Sequence, residues 1–327
     1  MKIGKLPESL LETLVLQTMN YKRKDIICRS GIGEDTGIID PEGELIVVSC
    51  DPITGSTKNI GHLAVHINCN DLVTSGAVPV ALVVCLLLPP EITEQEIKIM
   101  MEEMAREAAK IHVEIIGGHT EITTSVNKPI AIVTSIGKVK KDKIVKRKDI
   151  RPGDLIAMSK VAALEGTGII AHENEEELRS QLTKTELEVA KKLLTDISVI
   201  REALTATEFD VRYMHDVTEG GVYGACWELS KALNVGISID KKSIPLKEET
   251  IKICEHYNLN PYKLISSGSM LFVFSPQKLK DFKDEMKKQN IDIHVIGEIR
   301  NDQKKIIYDD VERPLEAPEV DELYKVI

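Results

Sequence analysis

The chain has 327 residues, 43 % hydrophobic and 29 % charged, enough apolar material for one long domain or two ordinary ones and too much for general disorder. Its 42 Lys and Arg against 52 Asp and Glu give a formal charge of −10, which argues against nucleic acid or an anionic membrane as the main partner, because both require a basic footprint. The longest apolar run, Ala77 to Leu88, spans twelve residues and contains Pro79, well short of the ~20 that a membrane helix needs.

In chain order, Leu6 to Met19 carries apolar residues at helical spacing after Pro7. Two glutamates interrupt the apolar stretch of this N-terminal region, so a secretory signal is not expected and the chain reads as cytoplasmic. ELIVVSC (44–50), PVALVVCLLL (79–88), EII (114–116) and PIAIVTSIG (129–137) have strand character. Helices are predicted over Gly61 to Gly76 and over Thr93 to Ile111, the latter opened by the Thr-x-x-Glu pattern of a capping box. The basic stretch KVKKDKIVKRKDIRP, punctuated by Pro152-Gly153, is a solvated connection between an N-terminal domain (1–148) and a C-terminal domain (149–327). The second half repeats the mixture: LIAMS, helices across 174–207, VRYMH, a helix after Gly221, GISI, a helix from about Lys247, MLFVF, a helix through Phe282, IDIHVIG and KKIIYD. Two mixed domains of the α/β or α+β class follow. The six cysteines, at positions 28, 50, 69, 85, 226 and 254, form no C-x-x-C pair and read as reduced, mostly buried thiols.

Acidic or glycine-rich turns where strands end or helices begin are the places for chemistry. Gly31-Ile32-Gly33-Glu34-Asp35-Thr36-Gly37 is glycine-rich for close backbone approach and acidic enough for a hard cation, although a surface turn has the same composition. Asp51 follows an apolar strand, the position at which open sheets place ligands. Asn70-Asp71 lies in mid-helix, where neither residue favours the helix, so a functional reason or the capping of a broken helix is called for. Gly117-Gly118-His119-Thr120-Glu121 resembles a ligand-facing turn. His62 and His66 stand at i and i+4 as in zinc hydrolases, but position 63 is leucine in place of the glutamate of that motif, so packing or capping is the expected role. In the second half, Gly166-Thr167-Gly168 and His215-Asp216-Val217-Thr218-Glu219-Gly220-Gly221 look like helix N-termini, suited to an anion or to ordinary capping.

Taken in order, GIGEDTG, CDPITG, NIGHLAVHINCNDLVTSGAVPVAL, GGHTE, GTG, DVTEGG and SSGSMLF resemble the aminoimidazole ribonucleotide synthetase (PurM-like, AIR synthase-related) superfamily from about Gly31 to Phe274. GHLAVHINCNDLVTSGAVPVAL and DVTEGG bring the chain nearest, within that superfamily, to the hydrogenase maturation factor HypE group. The resemblance implies a two-domain protein whose N-terminal halves pair as a homodimer and hold Mg-ATP. It implies metal-holding roles for Asp35, Asp51 and Asp71 and nucleotide contacts from Gly33, Asp35, Asp51, Lys58, Asn70, Gly117, Gly118, Gly220 and Gly221. Catalytic roles are expected of Asp71, His119 and Asp216, with His215 helping to position the acceptor.

Two departures modify the expectation. His119 stands where HypE-like members carry an acidic residue, so either Glu121 is expected to supply the missing carboxylate to the Mg2+ or fewer metal ions are held. The HypE C-terminal cysteine, which carries the carbamoyl group, is absent, since the sequence ends Leu323-Tyr324-Lys325-Val326-Ile327. The expected activity is therefore ATP-dependent phosphoryl transfer to, and dehydration of, an amide-type or small oxygen acceptor in trans, with other maturation proteins as partners. A thiamine-monophosphate-kinase-like enzyme and a non-catalytic nucleotide-binding scaffold are the alternatives.

Overall fold

The computed structural model describes residues 4–5, 10–28, 38–39, 43–54, 58–145, 149–318 and 320–327. The chain divides into two compact units, one made of Met1–Val73 and Ala77–Ile144, the other of Thr74–Gly76 and Val145–Ile327.

In the first unit the strands β1 (Gly4–Lys5), β2 (Ile26–Cys28), β3 (Ile38–Ile39) and β4 (Leu45–Ile53) lead into helix α1 (Ile60–Thr74). Strand β5 (Val78–Leu88), helix α2 (Glu94–Lys110) and strands β6 (Glu114–Ile122) and β7 (Ile130–Val139) follow. Five strands form one sheet in the order β1-β6-β5-β7-β4, with only β5 and β6 parallel. Parallel neighbours require a crossover, and α2 supplies it. It opens with the predicted capping box, in which the Thr93 side chain and that of Glu96 each accept the other's backbone N–H. Leu72 of α1 packs with Ala77 and Val139, against Leu45 and Val47, so α1 covers the face of β4 on which its odd-numbered residues lie. Helices α1 and α2 touch closely: a Cβ at Gly61 would sit 2.6 Å from the Met100 carbonyl oxygen.

Two predicted elements differ. Of the helix expected from Leu6 to Met19, residues 6–9 lie outside the described residues, and the rest forms a π-helical turn, Leu11–Val15, and a 3-10 turn, Leu16–Thr18, in place of a continuous α-helix. The Thr18 hydroxyl donates to the Val15 carbonyl at 2.6 Å and the Met19 N–H to that of Leu16, which ends the segment early. The Gly117–Glu121 segment is not a turn, because β6 continues through it and pairs Gly117–Ile122 with Val83–Leu88. A register shift after Ile115 leaves Ile116 as an extra residue, and a Cβ at Gly118 would lie 1.8 Å from the Val84 carbonyl oxygen. The glycine is a packing requirement of a strand.

The second unit contains β8 (Leu155–Ser159), α3 (Leu164–Glu173), α4 (Glu175–Leu178), α5 (Lys184–Lys192), α6 (Ile200–Ala206), β9 (Tyr213–Asp216) and α7 (Gly221–Leu233). It continues with β10 (Gly236–Asp240), α8 (Glu248–Tyr257), β11 (Met270–Phe274), α9 (Pro276–Lys288), β12 (Ile293–Arg300), β13 (Lys305–Asp309) and β14 (Val311–Pro314). Its seven strands run β14-β13-β10-β12-β8-β11-β9. Every residue of β11 is buried, which the unbroken apolar run MLFVF reflects. Phe272 and Phe274 meet Phe282 of α9 with ring centroids 5.1 and 5.0 Å apart, while Leu271 and Val273 belong to the core that includes Val222 and Leu229 of α7. No helix among the described residues is long and apolar enough to cross a membrane.

Candidate functional site

The polar centre of the first unit lies where α1 rests on β4. Ser49 and Asp51, two residues apart on a strand, face the same side, and α1 passes over it. The Ser49 hydroxyl donates to Asp71 Oδ2 at 2.6 Å. One turn earlier on α1, Asn68 Oδ1 accepts the Asp51 backbone N–H at 2.9 Å while its amide donates to the Ala64 carbonyl at 3.0 Å. Asn68 thus fixes the strand to the helix, and Ser49 orients the carboxylate beside it. Asn70 is buried at 1 % exposure, whereas Asp51 and Asp71 are half-buried. Burial first, and then Asp71, pushes the Cys69 thiol up, so this cysteine stays protonated at neutral pH. Two carboxylates on one side of a rigid strand–helix pair offer the hard oxygen donors that a small divalent cation takes.

Sequence reasoning missed Ser49 and Asn68. The signal for Asn68 is a carboxamide in an otherwise apolar helical run, and for Ser49 the period-2 relation to Asp51.

The other predicted residues are distributed more widely. Lys58 is exposed just before α1. Gly118 shares a sheet row with Asp51, through Val133 and Val84, yet two strands intervene and about 14 Å separates them at ordinary strand spacing. His119 and Glu121 do not join Asp51 and Asp71. His119 lies in the row of Pro52, Ile132 and Cys85, and strand alternation turns that row to the opposite side of the sheet from Asp51. There His119 Nε2 stands 3.4 Å from Glu121 Oε2, and burial followed by Glu121 pushes the Cys85 thiol up. A metal site shared by Asp51, Asp71 and Glu121 is therefore not assembled within one chain. Gly33 and Asp35 lie outside the described residues.

In the second unit, Asp216 ends β9 at 9 % exposure, and His215 Nε2 is 3.1 Å from Glu228 Oε2. The anion-binding role expected of Gly220-Gly221 meets an internal occupant. The Gly220 N–H donates to Asp321 Oδ2 at 2.6 Å, and the Gly221 N–H to the Thr218 carbonyl at 3.1 Å. Asp321 also accepts from the N–H groups of Leu323 at 2.8 Å and Ile265 at 3.2 Å, so three backbone donors already hold a carboxylate here. Both glycines have positive φ, 79° and 60°, and a Cβ at Gly221 would meet the carbonyl oxygens of Leu264 and Tyr262 at 2.7 Å. Gly166 and Gly168 likewise serve packing, since a Cβ there would lie 2.4 Å from Leu264 Cγ and 2.5 Å from Leu194 Cγ. Beside this loop the fully buried Glu165 accepts the Ser267 N–H at 3.3 Å. Burial pushes its carboxyl up to about 7, against the Ser267 hydrogen bonds and with help from Asp321 and Glu219.

Comparison with known proteins places both units. The family model described as "AIR synthase related protein, N-terminal domain" matches residues 33–139, and its C-terminal counterpart matches 151–310. A hydrogenase expression/formation protein of Methanocaldococcus jannaschii is 23 % identical over 319 residues, covering 94 % of this chain and 92 % of that protein. Carbamoyl dehydratase HypE of Rhizobium leguminosarum bv. viciae is 24 % identical over 256 residues, covering 75 % and 70 %. Thiamine-monophosphate kinase of Bacillus subtilis is 24 % identical over 309 residues, covering 90 % and 91 %. Among solved structures, hydrogenase maturation protein HypE in complex with ATP shares the fold with a TM-score of 0.77 at 18 % identity, over 98 % of this chain and 96 % of that one. With both family models in chain order, one on each of its two units, the chain belongs to the AIR synthase related protein family.

Proposed function

We propose that this chain is an ATP-dependent, Mg2+-dependent enzyme of the HypE type, which phosphorylates the oxygen of an amide-type or other small acceptor and so prepares it for dehydration. The observation that carries the reading is the pair of aspartates where α1 meets β4, the Asp51 backbone held through Asn68 and the Asp71 carboxylate oriented by Ser49. Their oxygens suit Mg2+, which when bound with ATP neutralises phosphate charge and favours phosphoryl transfer. Asp35, Asn70, Lys58, Gly117 and Gly118 are the further nucleotide contacts in this reading, with the N-terminal domain binding ATP and the C-terminal domain the acceptor. Asp216 and His215 then position the acceptor. The relatives named as carbamoyl dehydratases and the ATP-bound neighbour support the reaction class.

The protein acts as a homodimer in this reading. On β4, Ile46 and Val48 are 44 % and 59 % exposed and lie on the side away from α1, an apolar strip that a second copy would cover. His119 and Glu121 share that side, so pairing brings them to the interface. Light scattering in solution tests it, with a monomer at micromolar concentration as the opposing result.

Turnover is tested by following ADP release with small amides and carbamoyl compounds as acceptors. Sustained, acceptor-dependent ADP formation that disappears in Asp71→Asn supports the enzyme. Stoichiometric ATP binding without turnover for any acceptor supports the scaffold alternative.

A further inference from the structure

Away from Asp51 and Asp71, the first two turns of α1 carry a cluster for which the nucleotide reading has no use. His62 and His66 stand one helical turn apart with ring centroids 4.5 Å from each other, and both face Glu107 of α2. The His62 Nδ1 and His66 Nε2 nitrogens each lie 3.4 Å from the same oxygen, Glu107 Oε2, and the three ligand atoms fall within 4.8 Å of one another. A charge-assisted hydrogen bond closes to about 2.7–2.9 Å. The edge of a tetrahedron whose bonds are about 2.0–2.1 Å long is instead near 3.4 Å, the spacing that two ligands of one zinc ion adopt.

We propose that His62, His66 and Glu107 form a Zn2+ site that ties α1 to α2. Two neutral imidazoles and one carboxylate are a donor set that zinc accepts, with water in the fourth position. His66 and Glu107 are 5 % and 3 % exposed, while the His62 side chain, at 13 %, lines the approach from solvent. The buried His66 Nδ1 has no hydrogen-bond partner, and the nitrogen that the ring turns to Glu107 is Nε2.

Two cations hold the carboxylate meanwhile. The Lys110 ammonium lies 2.9 Å from both Glu107 oxygens and the Arg106 Nε 3.1 Å from Oε1. Their side chains are 59 % and 57 % exposed, which leaves both free to swing into water when an ion enters. Lys110 is thus a competitor whose charge the metal replaces. The third ligand, which the two histidines of α1 do not themselves supply, comes from the neighbouring helix α2, brought close at Gly61. This inference is independent of the nucleotide reading.

The test is calorimetric titration of the metal-free full chain with Zn2+ alone, with Co2+ as a spectroscopic probe. One ion per chain is expected, with micromolar or tighter affinity and the intense visible bands of tetrahedral Co2+. Glu107→Gln and His66→Ala should weaken binding by on the order of 100-fold or more. Because those positions are buried, the part-exposed His62→Ala and the surface Lys110→Ala serve as second variants. His62→Ala should lose the tetrahedral bands. Lys110→Ala should tighten binding roughly fivefold, the order of one charge acting at about 4 Å in water. Absence of stoichiometric binding by the wild type, or unchanged affinity and spectrum in a folded His62→Ala, would overturn the proposal.

Discussion

Ser49 Oγ donates to Asp71 Oδ2 at 2.6 Å, and through this one bond a strand residue decides where a helix residue points its charge. Ser49→Ala removes the donor and leaves the carboxylate in place. ATP affinity should fall by about tenfold, the scale of one hydrogen bond to a charged group, with little change in thermal stability. Calorimetric affinities of the two proteins, beside their melting curves, check it.

Gly118→Ala is expected to be far more damaging than its size suggests. The added Cβ would lie 1.8 Å from the Val84 carbonyl oxygen inside a parallel strand pair, so β5 and β6 must separate. A loss of about 3 kcal/mol or more is the expected scale for backbone strain combined with broken pairing. Urea denaturation reads it, and a variant as stable as the wild type would show that β6 has another register.

The Asp321 carboxylate serves three backbone donors, those of Gly220, Ile265 and Leu323. Burial pushes its carboxyl up, against the hydrogen bonds from these groups, so the bonds and not bare charge account for its place. Asp321→Ala should cost about 2–4 kcal/mol in the second unit, because each orphaned buried N–H carries a penalty. Hydrogen exchange at Gly220 and Ile265 should quicken while exchange across β4–β7 is unchanged.

Glu165 makes stability fall with pH. Its carboxyl titrates near the ordinary 4.5 when unfolded and at about 7 when folded, chiefly because it is buried. Between those values the folded state holds the proton and the unfolded state does not, so stability declines as pH rises through that window and is lowest above it. Glu165→Gln should flatten this decline, with a gain at pH 8 over pH 4.5 on the order of 3 kcal/mol relative to wild type. Parallel slopes for the two proteins in chemical denaturation across that range would contradict it.

The fold was largely legible because its elements announce themselves locally. The capping box at Thr93, the unbroken MLFVF and the helix over Ile60–Thr74 are properties of neighbours in sequence. The strand character of Gly117–Glu121 was not, since it comes from pairing with Val83–Leu87, more than thirty residues away. Two glycines in a row signal a turn unless a partner backbone demands the space. At the site, Asp51 and Asp71 stood out as carboxylates in apolar surroundings, but the side of the sheet that Glu121 occupies depends on where β6 begins its alternation after the Ile116 bulge. That one-residue shift separates Glu121 from the two aspartates. Gly220-Gly221 read as an anion site or an ordinary capped helix start, while the partner of the Gly220 N–H, Asp321, is a hundred residues distant and leaves no local mark.

The most direct test of the nucleotide site is calorimetric titration with ATP, with and without Mg2+, of the wild type and of Asp71→Asn. Binding that requires the metal and is lost in the variant is the expected result. No binding to the wild type, or equal binding to the variant, would contradict the assignment of Asp71 and with it the proposed chemistry.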